Sequence, residues 1–212
     1  VSDLENDRIN KPHRPVPSGR LPIEKAAAAG VYFWVVALCL AFLVNLQCFL
    51  IVAVASFFVY GYSMPPLRFK ARGLWANFSI AVPRGLLLPV AGWSTVKSVD
   101  RLEPWFLGSI FFLFILGACT TKDFSDMEGD AAAGCPTMPV MYGPEKTVLY
   151  ITPFFILPFM LIPLGVTAKI LTGNPLMLWV LTAALILYGI FTVRLLHRDP
   201  KALTLEENHP SW

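Results

Sequence analysis

The sequence predicts an all-α fold, a polytopic transmembrane helix bundle. Three observations carry that expectation. Of 212 residues, 56% are hydrophobic and 15% are charged, against about 25% charged in an ordinary soluble domain. Mean hydropathy is +0.60. The apolar residues fall into six blocks, most of them near the roughly 20 residues that a helix needs to cross a bilayer.

Residues 1–25 are polar and basic, and Pro12, Pro15, Pro17 and Pro22 exclude one continuous helix there. Two spans follow, near 26–45 and 47–62, the second of them short. The turn between them is so brief that they must form a helical hairpin. A basic loop covers 63–72. The third span, near 73–95, contains Pro83, Arg84 and Pro89, and a short polar turn covers 97–104. The fourth span, near 105–121, runs into an acidic stretch at 122–130, and a loop follows as far as Lys146. The fifth and sixth spans lie near 147–166 and 175–196, and a polar tail closes the chain.

Two crossings separate each of the segments 1–25, 63–72, 122–146 and the tail from 197, so all four are expected on one side. Most bases lie there, while the other side offers Lys97, Arg101 and Lys169. The positive-inside rule puts the basic side in the cytoplasm, as expected of a multi-pass protein of the cell membrane. A net charge of +3 gives no reason to expect a nucleic-acid partner. Cys39, Cys48 and Cys119 stand in apolar blocks and Cys135 is alone in a loop, so neither disulfides nor a zinc site are expected. His13, His197 and His209 are scattered. The sequence opens without Met and stops in a polar segment, and a fragment lacking spans at both ends is expected.

The chemistry concentrates in Lys122-Asp-Phe-Ser-Asp-Met-Glu-Gly-Asp130. On one helix, Asp123, Asp126 and Asp130 would fall within about 60° of each other and share a face. They follow the apolar run 107–119, at a helix C-terminus that already carries partial negative charge. Carboxylates stacked there repel unless a cation holds them. A hard divalent cation such as Mg2+, bridging them to a phosphate-bearing substrate, is one solution. A solvated acidic cap at the membrane surface is the other. Asp3 and Asp7, at i and i+4, repeat the Asp-x-x-x-Asp pattern of Asp126 and Asp130, each before a loop and a pair of spans. Two such elements facing one another would build a site from two acidic halves. Proline-stiffened basic loops lie on the same side, one with Lys11 and Arg14, the other with Arg68 and Lys70. Fixed cations beside metal-binding carboxylates suit a diphosphate. Membrane topology alone explains the charges, but not their coincidence with the acids.

Taken together, Asp-x-x-x-Asp with Arg8-Ile-Asn-Lys-Pro-x-Arg-Pro-x-Pro-Ser-Gly, Tyr62-Ser-x-Pro-Pro-x-Arg-x-Lys and Lys122-Asp-x-x-Asp-x-Glu-Gly-Asp resemble the UbiA superfamily of intramembrane prenyltransferases. The resemblance covers the whole chain. It implies nine transmembrane helices, of which these six spans would be the third to the eighth. Residues 1–212 would then be a single domain truncated at both ends, with only the last two aspartates of the first motif present. It implies that Asp3, Asp7, Asp123, Asp126 and Asp130 bind Mg2+. By the same resemblance Arg14, Arg68, Lys70 and Lys122 contact a prenyl diphosphate. Tyr62 would contact the diphosphate or face an allylic cation, unless it is an interfacial anchor. Arg84 either satisfies a carbonyl freed by Pro83 or holds an anionic group of the acceptor.

The implied reaction is Mg2+-dependent transfer of an isoprenyl group, with geranylgeranyl diphosphate the expected donor, to a lipophilic acceptor in the bilayer. Ile9-Asn10-Lys11-Pro12 and Arg84 favour the branch that prenylates geranylgeranylglyceryl phosphate. The branch that esterifies chlorophyllide, as in chlorophyll and bacteriochlorophyll synthases, is the alternative. From other classes, a divalent-cation transporter would use the acids as an ion path, although here they stand at helix ends beside basic loops. A two-metal phosphatidyltransferase would need an Asp-Gly-x-x-Ala-Arg segment, which the chain lacks.

Overall fold

The structure, a computed structural model, describes residues 4–205. Every regular element among them is helical. A short helix, α1 (Leu4–Asn10), precedes five of the spans in the order α2 (Ile23–Val44), α3 (Leu46–Ser63), α4 (Leu74–Ser94), α5 (Leu102–Asp123) and, after two short helices α6 (Met127–Ala132) and α7 (Met138–Tyr142), α8 (Pro144–Thr167). The sixth span, α9 (Pro175–Arg198), follows. The six spans have 18–24 residues and mean hydropathies of 1.3–2.4. Val31, Phe33, Leu43, Leu187 and Tyr188 are exposed on their outer faces. Apolar surface on that scale is tolerated against lipid and not against water. The chain is an integral, multi-pass membrane protein.

Asn45 alone joins α2 to α3. Its extended backbone ends one helix, and its Oδ1 caps the next by accepting from the Cys48 N–H at 2.8 Å. Its Nδ2 donates to the Ser94 carbonyl at 2.7 Å, fixing the hairpin to the end of α4. Helix α4 is the central span: 56% of its core window is buried, against 6% for α2, whose main neighbour is α3. Pro83 has no N–H to close an ordinary helical turn, and the backbone widens into a π-turn over Val82–Leu87. Two glycines press this turn against α5. A Cβ on Gly85 would stand 2.5 Å from the Phe112 Cα, and one on Gly108 would stand 2.7 Å from the Leu86 carbonyl oxygen. Close backbone approach through small residues is how helices associate where lipid removes the hydrophobic drive. Asn77 adds polar glue, donating to the Thr120 hydroxyl at 2.6 Å from the buried face of α4.

Two expectations need correction. The acidic stretch is not one helix. α5 tightens into a 3-10 turn that ends at Asp123, residues 124–126 form a turn, and α6 starts at Met127. The cause is Phe124, fully buried in a cluster with Val148, Ile151, Phe155, Leu196 and Leu203. Seating that ring beneath α8 and α9 turns the chain inward and breaks the helical register of the three acids. The loop up to Lys146 likewise contains α6 and α7, and Gly143, at φ 80°, separates α7 from α8. The fifth span also differs from a plain helix. Pro153 and Pro158 split it into 3-10 turns at Thr152–Phe155 and Leu157–Met160.

Candidate active site

The end of the bundle that carries the acids gathers three separate segments. α1 packs on α6, and Asn10, its last residue, bridges the two. Asn10 Nδ2 donates to the Asp126 carbonyl at 3.1 Å, while Asn10 Oδ1 accepts from the Gly129 N–H at 3.0 Å. Lys11 then reaches the Asp126 carboxylate at 2.8 Å, with both side chains largely buried. Removing one partner from such a pair strands the other charge. Arg14 pairs with Asp7, also at 2.8 Å, but in a more exposed setting where solvent weakens the bond. α1, which carries Asp7, and α6, with Asp126 at its start and Asp130 within it, are therefore held together by Asn10 and Lys11. The sequence marks Lys11 as a loop cation and Asn10 as part of the Ile-Asn-Lys-Pro run, but gives neither a part in joining the two segments.

Beside this junction lies a cavity of about 430 Å³. Asp7, Asp126 and Asp130 line it, and so do Lys11, Arg14, Lys70, Arg84 and Lys122. Among the described residues five cations face three carboxylates, which makes the described lining net positive. Tyr62 stands in the wall at the end of α3, and apolar Val59, Ile80 and Pro83 line it too. Lys70 and Asp130 are buried. Arg84 owes its place to the π-turn. Gly85 faces α5, so its neighbour Arg84 is left exposed to the cavity. Among the described residues no hydrogen bond or ion pair holds its guanidinium.

Other candidates stand apart. Asp123 is buried and off the cavity wall, with its Oδ1 accepting from Lys122 Nζ at 2.6 Å. The break at Phe124 explains the separation, because Asp123 stays with α5 while Asp126 and Asp130 go with α6. Arg68 is exposed, takes a left-handed backbone at φ 38°, and does not line the cavity. Asp3 lies outside the described residues. Cys135, Ser79 and Thr137 complete the wall. Burial pushes the Cys135 thiol up from its ordinary range, the Lys70 charge opposing the shift, so this thiol stays neutral near pH 7.

The arrangement matches a known family over almost its whole length. The UbiA prenyltransferase family matches residues 1–205. The chain belongs to the UbiA prenyltransferase family. Among UbiA-family relatives, the digeranylgeranylglyceryl phosphate synthase of Methanocaldococcus jannaschii is 31% identical over 206 residues, covering 96% of this chain and 69% of the relative. The bacteriochlorophyll synthase 33 kDa chain of Cereibacter sphaeroides is 28% identical over 93% of this chain and 65% of the relative. The chain spans 57% to 69% of the length of the first four curated relatives. The solved structure of a UbiA homolog from Archaeoglobus fulgidus bound to GPP and Mg2+ has the same fold, with a TM-score of 0.69 at 21% identity over 96% of this chain and 76% of that one.

The cavity's donor set suits a hard cation, being made of carboxylate oxygens without thiolate or imidazole. Among the described residues no three acids, cysteines or histidines close into a cage. Mg2+ needs no such cage, because it is commonly held by one or two carboxylates together with substrate phosphates and water.

Proposed function

We propose that this chain carries the catalytic chamber of a prenyltransferase. It would move an isoprenyl group from a prenyl diphosphate, expected to be geranylgeranyl diphosphate, to a lipophilic acceptor of the geranylgeranylglyceryl phosphate type. One observation carries the reading: Asp7 from one acidic element and Asp126 and Asp130 from the other line one cavity whose described lining is net positive. A cavity that holds both carboxylates and an excess of cations is complementary to a metal–diphosphate complex. The same excess of cations opposes a divalent-cation path, which a transporter would require.

Asp7, Asp126 and Asp130 would hold Mg2+. When bound, the metal supplies charge neutralisation on the leaving diphosphate. Lys11, Arg14, Lys70 and Lys122 donate to the remaining phosphoryl oxygens, so the allylic C–O bond breaks with its electron pair leaving on the diphosphate. The Tyr62 ring, in the cavity wall, would stabilise the allylic cation by its face. Val59, Ile80 and Pro83 keep water from that cation. Arg84, planar and without a partner among the described residues, binds the phosphate of the acceptor, and this is the feature that favours a phosphate-bearing acceptor over chlorophyllide. The protein would sit in the cell membrane with this end facing the cytoplasm, following the excess of bases on that side.

The test is release of pyrophosphate from geranylgeranyl diphosphate by the full-length protein, with and without Mg2+, against a panel of acceptors. Turnover that needs Mg2+ and geranylgeranylglyceryl phosphate supports the reading. Turnover with chlorophyllide alone would move the chain to the other branch, and no turnover with any acceptor would refute it.

A further inference from the structure

Thr137 is the residue whose surroundings the reaction above leaves unexplained. It occupies the N-cap of α7 with an extended backbone, φ −68° and ψ 161°, the geometry in which a threonine hydroxyl normally accepts from the first turn of a helix. It makes no such cap bond. Thr137 is also 92% buried, being 8% exposed, and its Oγ1 has no hydrogen-bond partner among the described residues. A buried hydroxyl without a partner costs about 1–3 kcal/mol, and native interiors tolerate very few. The cap bond would remove the cost, yet the side chain is turned away from it.

The neighbourhood identifies the missing partner. Thr137 lies in the wall of the cationic cavity, together with Lys70 and Cys135. The segment that carries it is tied to Asp130, because the Cys135 N–H donates to the Asp130 carbonyl at 2.8 Å and the Thr137 N–H to the Cys135 carbonyl at 2.9 Å. Lys70 and Asp130 line the same cavity, so Thr137 shares its wall with a phosphate-binding cation and a metal-binding acid. Its hydroxyl hydrogen needs an acceptor, and the groups this cavity gathers are phosphoryl oxygens. A change of χ1 rotamer re-aims the O–H without moving the backbone.

We infer that Thr137 is a diphosphate-binding residue, donating its hydroxyl hydrogen to a phosphoryl oxygen of the prenyl diphosphate beside Lys70. This rests on the prenyltransferase reading and deepens it by naming a neutral donor among the charged ones.

The experiment measures binding of inorganic pyrophosphate and of geranylgeranyl thiodiphosphate to full-length protein in lipid nanodiscs with Mg2+. Thr137→Val keeps the shape and removes the hydroxyl, while Thr137→Ser keeps the hydroxyl. Thr137→Val should weaken both ligands about tenfold or more, the loss expected for one hydrogen bond to a charged group. Thr137→Ser should bind close to wild type. In ligand-free protein the thermal midpoint of Thr137→Val should be equal to or above that of wild type, since no internal bond is lost. Wild-type affinity in Thr137→Val, failure of Thr137→Ser to restore binding, or a lowered ligand-free midpoint in Thr137→Val would each overturn the assignment. A loss confined to a glycerol phosphate acceptor analogue would overturn it too. If wild type binds neither pyrophosphate nor the thiodiphosphate, the prenyltransferase reading falls with it. Wild-type binding that Thr137→Val leaves untouched overturns only the role of Thr137.

Discussion

Asp7 and Asp126 meet across the same cavity, each already balanced by a cation, Arg14 and Lys11. If both serve one metal–diphosphate complex, Asp7→Asn and Asp126→Asn should each lower kcat at least about a hundredfold, a loss typical of removing one electrostatic contact to a transition state. The double variant should lose little more, because groups acting as a unit are not additive. Folded yield in detergent has to be followed in parallel for Asp126→Asn, which strands the largely buried Lys11. The basic loop after α3 separates into two kinds of cation. Lys70 is buried in the cavity wall and Arg68 is exposed away from it. Lys70→Ala should raise the KM for prenyl diphosphate about tenfold, and Arg68→Ala should leave it near wild type. Equal losses would mean that the loop acts through topology alone. Arg84→Gln should raise the KM for a phosphate-bearing acceptor and spare that for the donor. An equal rise for both would remove the acceptor role.

At the scale of the element, α4 decides where Arg84 points. Pro83 opens the π-turn, and Gly85 lets that turn lie against the α5 backbone. Gly85→Ala would put a Cβ 2.5 Å from the Phe112 Cα, an atom that cannot rotate away. The helices must separate, and a destabilisation of about 1–3 kcal/mol is expected, read as a lower thermal midpoint in detergent. Gly92→Ala on the same helix meets nothing within 4 Å and should be neutral or stabilising by up to about 1 kcal/mol. Indistinguishable midpoints for the two variants would show that α4 and α5 are not in backbone contact at Gly85.

At the scale of the whole molecule, the acids and the basic loops come to one end while the loops at Lys97 and Lys169 come to the other. Two cysteine substitutions test which end faces the cytoplasm. Ser18→Cys and Ser98→Cys both sit at exposed positions, at opposite ends of the bundle. In intact cells a membrane-impermeant maleimide should label Ser98→Cys and reach Ser18→Cys only after lysis. The native Cys135 contributes little background, since burial keeps its thiol raised and neutral, and thiolate is the reactive form. Labelling of Ser18→Cys from outside would reverse the orientation.

Six spans, the tight hairpin of the first two and the gathering of polar loops at one end were legible from the sequence, because each is a local consequence of block length and of crossing number. The meeting of Asp7 with Asp126 and Asp130 was legible as a possibility, through the matching positions of their two segments before span pairs. Tertiary packing decided the rest. Asp123 was expected beside Asp126 and Asp130 on one helix face, but the burial of Phe124 under α8 and α9 removes it from the cavity wall. No periodicity reveals which aromatic will be drawn into a core. Lys11 was legible only as a loop cation, Asn10 only as part of a branch motif, and Thr137 not at all, since their partners are set by α1, α6 and α7 coming together. The sequence by itself determined that this chain crosses a membrane and carries its charges at one end, because hydropathy and charge count are sums over residues. Which of those charges share a cavity was decided by packing alone, because a distance between side chains depends on every helix that lies between them.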